Sequence, residues 1–199
     1  MGYKLVLATN NQHKLHEVKE ILNPHGITVF SLSDLNLKPE DVEENADTYY
    51  GNALIKAQAV AKLTNMPVIA DDSGLEVKAM NNLPGLHSAR FAEQCGGHAN
   101  AMQKILAATK EEKSARFVCD IVLLNEEKEP ILFESIVDGQ IAESPFGEGG
   151  FGYDPIFICQ ATGKTYATMS EEEKNQYSHR GTALKKLIDY LYEKKKISR

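Results

Sequence analysis

Two adjacent carboxylates, Asp71 and Asp72, follow the apolar run Val68, Ile69, Ala70 and precede Ser73 and Gly74. The run fits a buried strand by length and β-branching, and the pattern predicts that the strand stops on the two carboxylates. In open α/β sheets ligands collect outside the carboxyl ends of strands, which directs Asp71 and Asp72 at a cleft. Neighbouring carboxylates repel each other and are expensive to desolvate unless a cation or a shared proton compensates them. A divalent ion on oxygen ligands, such as Mg²⁺, is the simplest compensation. A solvated turn explains the same residues, because Asp, Ser and Gly are turn formers. The other polar clusters of the chain tip the balance toward chemistry.

The densest of these is Gly147-Glu148-Gly149-Gly150-Phe151-Gly152-Tyr153-Asp154-Pro155, with four glycines in six residues. Glycines let a backbone approach a ligand closely or adopt positive φ. Aromatics set among them, Phe151 and Tyr153, can stack on a flat ligand such as a base. Nearer the C-terminus, Ser178-His179-Arg180-Gly181 opens a helix. Ser178 is a natural N-cap, and His179 and Arg180 would project from the first turn toward an acceptor-rich ligand. At the other end of the chain Thr9-Asn10-Asn11 precedes a helix whose first turn holds Lys14. Free N–H groups at a helix start, joined by a lysine, suit a phosphate. There is no glycine-rich P-loop here, and an ordinary N-cap with a solvated lysine explains the same pattern. Glu43 and Glu44 also lie ahead of a helix, where acids complement the helix dipole. One of them can alternatively supply a third carboxylate to a metal. Arg90, behind Ser88 and Ala89, suits a phosphate or a surface carboxylate equally.

The elements that must position these groups alternate between strand and helix. Residues 4–8 read as a buried strand, followed by a helix with Leu15, Val18, Ile21 and Leu22 on one face that ends near Pro24 and Gly26. Residues 27–31 form a second strand. An acidic irregular stretch over residues 36–47 leads to an alanine-rich helix over residues 48–65, with Leu54, Ala57, Val60 and Ala61 aligned. Residues 98–109 read as a helix. Residues 115–124 and 131–141 read as long strands of a hairpin joined by Asn125-Glu126-Glu127-Lys128. A final helix aligns Leu184, Leu187, Ile188 and Leu191.

A chain of 199 residues can bury a substantial core as one domain over residues 1–199, with room for two lobes. Hydrophobic content of 42% and charged content of 25% are ordinary for globular proteins. No apolar run approaches the roughly 20 residues of a membrane span, and the start of the chain shows no signal-peptide pattern. Cys95, Cys119 and Cys159 are odd in number and lack a CxxC pair, which argues against a disulfide framework and for a reducing, cytoplasmic setting. The net charge of -6 argues against general nucleic-acid binding, yet a few lysines focused in one cleft still attract a small anion.

Taken together, the clusters resemble the Ham1/RdgB family of inosine-triphosphate pyrophosphatases from Leu5 to about Leu191. The resemblance rests on Thr9-Asn10-x-x-x-Lys14, Asn52-Ala53-x-x-Lys56-Ala57, Ala70-Asp71-Asp72-Ser73-Gly74, Pro84-Gly85-x-x-Ser88-Ala89-Arg90, Gly149-Gly150-Phe151-Gly152-Tyr153-Asp154-Pro155 and Ser178-His179-Arg180-Gly181. Any one is weak; six in the same order and spacing are specific. The resemblance implies an α/β fold with two lobes around a long twisted mixed β-sheet flanked by helices, a nucleotide cleft between the lobes, and a homodimer. It implies Mg²⁺-dependent hydrolysis of ITP, dITP or XTP to the monophosphate and pyrophosphate, clearing deaminated purines from the nucleotide pool. By matching motif, Thr9, Asn10, Asn11, Gln12, His13, Lys14 and Lys174 hold phosphates, Asp72 is the catalytic carboxylate, and Ser73 contacts substrate. Glu44, with Asp72, falls where the family binds its metal. Phe151, Gly152, Tyr153 and Asp154, with His179 and Arg180, form the base end.

The chain departs from the family pattern at His13 and Gly51, where glycine and glutamate are common, and at His87, where tyrosine is common. Two other readings compete. A Maf-like pyrophosphatase acting on other modified nucleotides is opposed by the His179-Arg180 pair and the Phe-Gly-Tyr-Asp loop. A nucleotide-sensing module without turnover is opposed by Asp71 and Asp72, because a pure binder gains little from carboxylates beside phosphates.

Overall fold

Apolar β-branched segments build the sheet, and amphipathic helices with small residues on their inner faces cover it. The computed structural model describes residues 2–127 and 129–198. Its strands are β1 (Tyr3–Leu7), β2 (Ile27–Phe30), β3 (Val68–Val77), β4 (Leu83–Pro84), β5 (Ser114–Leu124), β6 (Ile131–Ile141) and β7 (Phe157–Cys159). Its helices are α1 (Gln12–Leu22), α2 (Tyr49–Ala61), α3 (Ser88–Gln94), α4 (His98–Ala108), α5 (Glu171–Tyr177) and α6 (His179–Glu193). The strands hydrogen-bond in the order β2-β1-β3-β5-β6-β7, with β4 added to β3. The sheet is mixed: β1 runs parallel to β2 and β3, whereas β4 is antiparallel to β3 and β7 to β6. This is the mixed sheet flanked by helices that the resemblance implies. The turn expected over residues 125–128 follows β5 as a bend at residues 125–127; Lys128 lies outside the described residues.

The chain divides into two compact units. The first takes residues 1–72, 120–134 and 183–199, and the second takes residues 73–119 and 135–182. In the first, Val6, Ala8, Val68, Ala70 and Val122 from the strands pack with Ala53, Ala57 and Val60 of α2. Small side chains on that face of α2 let the helix lie close to the strands. In the second, Leu75 and Val77 of β3 pack with Phe117, Phe157, Tyr166, Ala101 and Ile105. Phe117, Phe157 and Tyr166 meet ring to ring, with centroids 4.7 to 5.7 Å apart, within the range where aromatic pairs add to simple burial.

One element differs from the sequence-based expectation. The strand does not stop at Ala70; β3 continues through Asp71, Asp72, Ser73 and Gly74 to Val77. A strand can carry buried carboxylates in its middle only where charged or hydrogen-bonding partners meet them, and both aspartates have such partners. The register preserves the expected exposure to a ligand by another route. β1 pairs Val6 with Val68 and Leu7 with Ile69, and then ends. Asp71 and Asp72 therefore lie on β3 just beyond the carboxyl end of its parallel neighbour, where α/β sheets gather ligands.

Candidate functional site

In the first unit the site grows from β1, α1, α2 and the first half of β3. Thr9 and Asn10 leave β1, and the backbone N–H of Asn11 donates to Thr9 Oγ1 at 3.1 Å. Asn11 then caps α1, its Oδ1 accepting from the N–H groups of His13 at 3.0 Å and Lys14 at 3.2 Å. Gln12 and His13 stand exposed in the first turn. The ordinary N-cap of the sequence alternatives is thus present, but the lysine is not simply solvated. Lys14 Nζ lies 3.0 Å from Asp71 Oδ2.

Asp72 faces α2. Successive strand residues point to opposite sides, so Asp71 and Asp72 do not form one facing pair; Asp71 takes the ion pair with Lys14, and both carboxylates act on the Lys56 ammonium. Asn52 Nδ2 donates to Asp72 Oδ2 at 3.2 Å, and Lys56 Nζ approaches Asp72 Oδ1 at 3.5 Å. The same ammonium donates to Glu44 Oε2 at 2.8 Å, so it bridges two carboxylates. Asn52 in turn accepts from the Ala46 N–H at 3.0 Å and ties the irregular acidic stretch to α2. Burial pushes the Asp72 carboxyl above its ordinary range, although Lys56, Lys14 and Asn52 pull the other way. Burial alone would discharge Lys56, but Asp71, Asp72 and Glu44 outweigh it and hold the lysine charged. Among the described residues, no group of three or more His, Cys, Asp or Glu side chains is placed to hold a metal ion. Gly51, one of the departures from the resemblance, has a local reason: a Cβ there would lie 2.5 Å from the Ala46 Cβ.

In the second unit the glycine-rich loop is organised by a buried ion pair. Asp154 accepts from the Phe151 N–H at 2.8 Å and from Lys174 Nζ at 2.6 Å. Gly150 has φ +70°, and a Cβ on it would collide with the Asp154 carboxylate. The loop therefore needs glycine where the backbone folds over Asp154. Lys174 Nζ sits 4.7 Å from the Phe151 ring centroid and the Arg180 guanidinium 5.8 Å, so two cations approach one aromatic ring. Arg180 is only 2% exposed, and it donates to Ser73 Oγ at 3.1 Å. Ser73 follows Asp72 in the sequence.

Two aromatic expectations change. Tyr153 is buried with its hydroxyl donating to the Ser88 carbonyl at 2.7 Å, and His98 meets its ring edge-on. That leaves half-buried Phe151, not Tyr153, as the stacking candidate of the loop. His179 is buried as well, its ring stacked on Phe117 with centroids 4.4 Å apart and planes 5° from parallel. Arg90 and His87 lie exposed.

Sequence reasoning missed Asn52 as the hydrogen-bond partner of Asp72, the Lys14–Asp71 pair, and Asp120. Asp120 is 5% exposed on β5, and its Oδ1 accepts no hydrogen bond. Burial, with Glu134 and Asp72 nearby, lifts its carboxyl to about 6, although the Tyr50 backbone N–H pulls it down. The available signal was one aspartate inside the apolar stretch Phe117-Val118-Cys119-Asp120-Ile121-Val122.

The model of the Ham1 family matches residues 5–190. The chain is 45% identical over 195 residues to a dITP/XTP pyrophosphatase of Thermus thermophilus, with 94% of this chain and 91% of that protein covered. It is 46% identical over 191 residues to a dITP/XTP pyrophosphatase of Bacillus subtilis, with 94% and 96% covered. Among solved structures, the Staphylococcus aureus Ham1 protein superposes with a TM-score of 0.83 at 40% identity, covering 96% of this chain and 99% of that one. A HAM1 protein from Coxiella burnetii gives a TM-score of 0.83 at 38% identity, with the same coverage.

Proposed function

The chain belongs to the Ham1 family, and from that premise we propose that it hydrolyses dITP, XTP and ITP to the nucleoside monophosphate and pyrophosphate with Mg²⁺. The observation that carries the reading is the buried Asp72, held by Asn52 and Lys56 of α2, with the Lys56 ammonium bridging it to Glu44. A lysine nitrogen between two carboxylate oxygens is a stand-in cation, so Glu44 and Asp72 suit a hard divalent ion. Two carboxylates would be enough to hold it, because Mg²⁺ is usually bound through one or two carboxylates together with substrate phosphates. When bound, that ion neutralises phosphate charge and polarises the bond to be cleaved.

The remaining work falls to the side chains. Residues 9–14 receive the polyphosphate, with Lys14 giving up part of its hold on Asp71 to meet it. Asp72 takes a proton from the attacking water, and a carboxyl raised by burial is a stronger base than an exposed one. Lys56 and Lys14 counter the charge that builds on the pyrophosphate leaving group. Phe151 stacks on the base, while Arg180 and Lys174 donate toward its 6-carbonyl. The placement of Lys174 beside Asp154 and Phe151 supports this base-side role over the phosphate role carried from the motif. Ser73 positions Arg180. We further propose a homodimer and a cytoplasmic setting; Cys95, Cys119 and Cys159 are all free thiols, as a reducing compartment favours.

The test is pyrophosphate release from dITP, XTP, ITP, GTP and ATP with and without Mg²⁺, with products separated by ion exchange. Monophosphate and pyrophosphate in equal amounts, from the deaminated purines and only with the metal, are expected. Stoichiometric diphosphate would mean γ-phosphate removal and would overturn the leaving-group assignment. Binding without turnover would favour a sensing module, and preference for other modified nucleotides a Maf-like activity.

A further inference from the structure

We infer that Lys56 is the protein's own counter-cation for Glu44 and Asp72, and that a divalent ion and Lys56 compete for the same two carboxylates. The inference rests on the proposed metal role of Glu44 and Asp72, and it adds what this chain's own lysine does toward that ion. Lys56 Nζ stands 2.8 Å from Glu44 Oε2 and 3.5 Å from Asp72 Oδ1, whereas the second Asp72 oxygen is held by Asn52. The lysine side chain is 18% exposed and that of Asp72 10%, so water screens this pair little. Glu44 is 42% exposed, but Asp72 is largely buried, and a buried carboxylate beside a second anion needs a compensating cation. Lys56 removes that repulsion until a metal arrives.

An ammonium and a divalent ion a few ångströms apart repel strongly, so one must yield when the other binds. Asn52 does not move in this exchange; it keeps Asp72 oriented while the cation changes. The released Lys56 is a long side chain anchored on α2 within reach of Asp72, and triphosphate oxygens are the natural acceptors for it. Nucleotide therefore draws the lysine off the carboxylates and lowers the cost of metal entry. Metal and nucleotide binding are coupled through one side chain, and the free enzyme holds metal weakly. The lysine prepares the site without being its metal ligand.

The experiment titrates Mn²⁺ into the full-length protein and reads free Mn²⁺ by electron paramagnetic resonance, with and without α,β-methylene-dITP. Lys56→Met is expected to bind Mn²⁺ about tenfold more tightly than wild type without nucleotide, because a like-charged neighbour is gone. Adding the analogue should tighten Mn²⁺ binding much more in wild type than in the variant. Lys56→Gln, which keeps length and a hydrogen-bond donor without the charge, should behave as Lys56→Met does and covers the case in which methionine fails to fold. In wild-type crystals soaked with Mn²⁺ alone, Lys56 Nζ should leave Asp72. Unchanged or weaker Mn²⁺ affinity in folded variants would overturn the exchange while leaving the metal reading intact. No Mn²⁺ binding by any form, even with the analogue, would overturn the exchange and the metal reading together.

Discussion

Asp72 and Arg180 are both buried, yet burial serves opposite purposes for them. For Asp72 it raises basicity; for Arg180 it fixes a guanidinium against Phe151 and Ser73 so that its donors point in a set direction. Asp72→Asn keeps the shape and still accepts from Asn52, but it cannot take a proton or neutralise a cation. Its kcat should fall about 10²–10⁴-fold, the usual cost of losing a positioned base, with a folded circular-dichroism spectrum. Near wild-type turnover at saturating Mg²⁺ would remove Asp72 from the chemistry. On the proposed reading Arg180 sets specificity, and that can be tested. Hypoxanthine and xanthine offer an acceptor at C6 where adenine offers an amino donor, and arginine has donors only. A site built around such a hydrogen bond can discriminate by about 10⁴–10⁵. Arg180→Met should therefore lower kcat/KM for dITP far more than for ATP. Equal losses on both would assign Arg180 to folding or to phosphate, and Lys174 would be the next candidate reader.

At the scale of elements, the α5–α6 junction sets the spacing of Lys174 and Arg180, the two cations proposed for the base side, and its geometry depends on one glycine. Ser178 caps α6 by accepting the Gly181 N–H at 3.1 Å, and its carbonyl accepts from Thr182. A Cβ on Gly181 would collide with the Asn175 carbonyl of α5. Gly181→Ala should cost about 1–3 kcal/mol, the range for inserting a methyl group into a packed site. Ser178→Ala loses a cap and should cost about 1 kcal/mol. Denaturant melts of both variants compare the two effects. A Gly181→Ala cost below that of Ser178→Ala would mean that the turn opens freely and does not fix Arg180. The α2 element shows the same economy of space: alanines at 53 and 57 bring the helix close enough for Asn52 and Lys56 to reach β3.

For the molecule as a whole, Asp120 links stability to pH. Its carboxyl titrates at about 6 in the folded chain against 3.8 ordinarily. Below the unfolded value both states hold the proton, and burial of the neutral acid carries no ionisation cost. As pH rises past the unfolded value the unfolded chain releases its proton first, so stability falls. The loss is complete once the folded carboxyl has also ionised, and it persists at higher pH. Asp120→Asn stays neutral throughout and still accepts from Tyr50. It should raise Tm by roughly 2–4 °C at pH 8, the shift expected for about 1 kcal/mol in a chain of this size, with the gain shrinking toward pH 4. A gain of equal size at both pH values in calorimetric scans would show packing, not ionisation, as the cause. Among the described residues no helix is long and apolar enough to cross a membrane.

Alternation and helical periodicity determined most of the elements, because apolar spacing in β1, α1, α2 and α6 reports which face is buried whatever covers it. Motif spacing also carried the family, since chemistry demands particular side chains at particular offsets along the chain. The partners of those side chains depend on distances between residues far apart in sequence. Only the folded chain brings Lys56 and Asn52 to Asp72, seats Lys174 on Asp154 and stacks His179 on Phe117. The end of β3 was misjudged for the same reason. Locally, Asp-Asp-Ser-Gly is a turn, and only charges supplied by α1 and α2 make it cheaper to extend the strand through two carboxylates than to end it there.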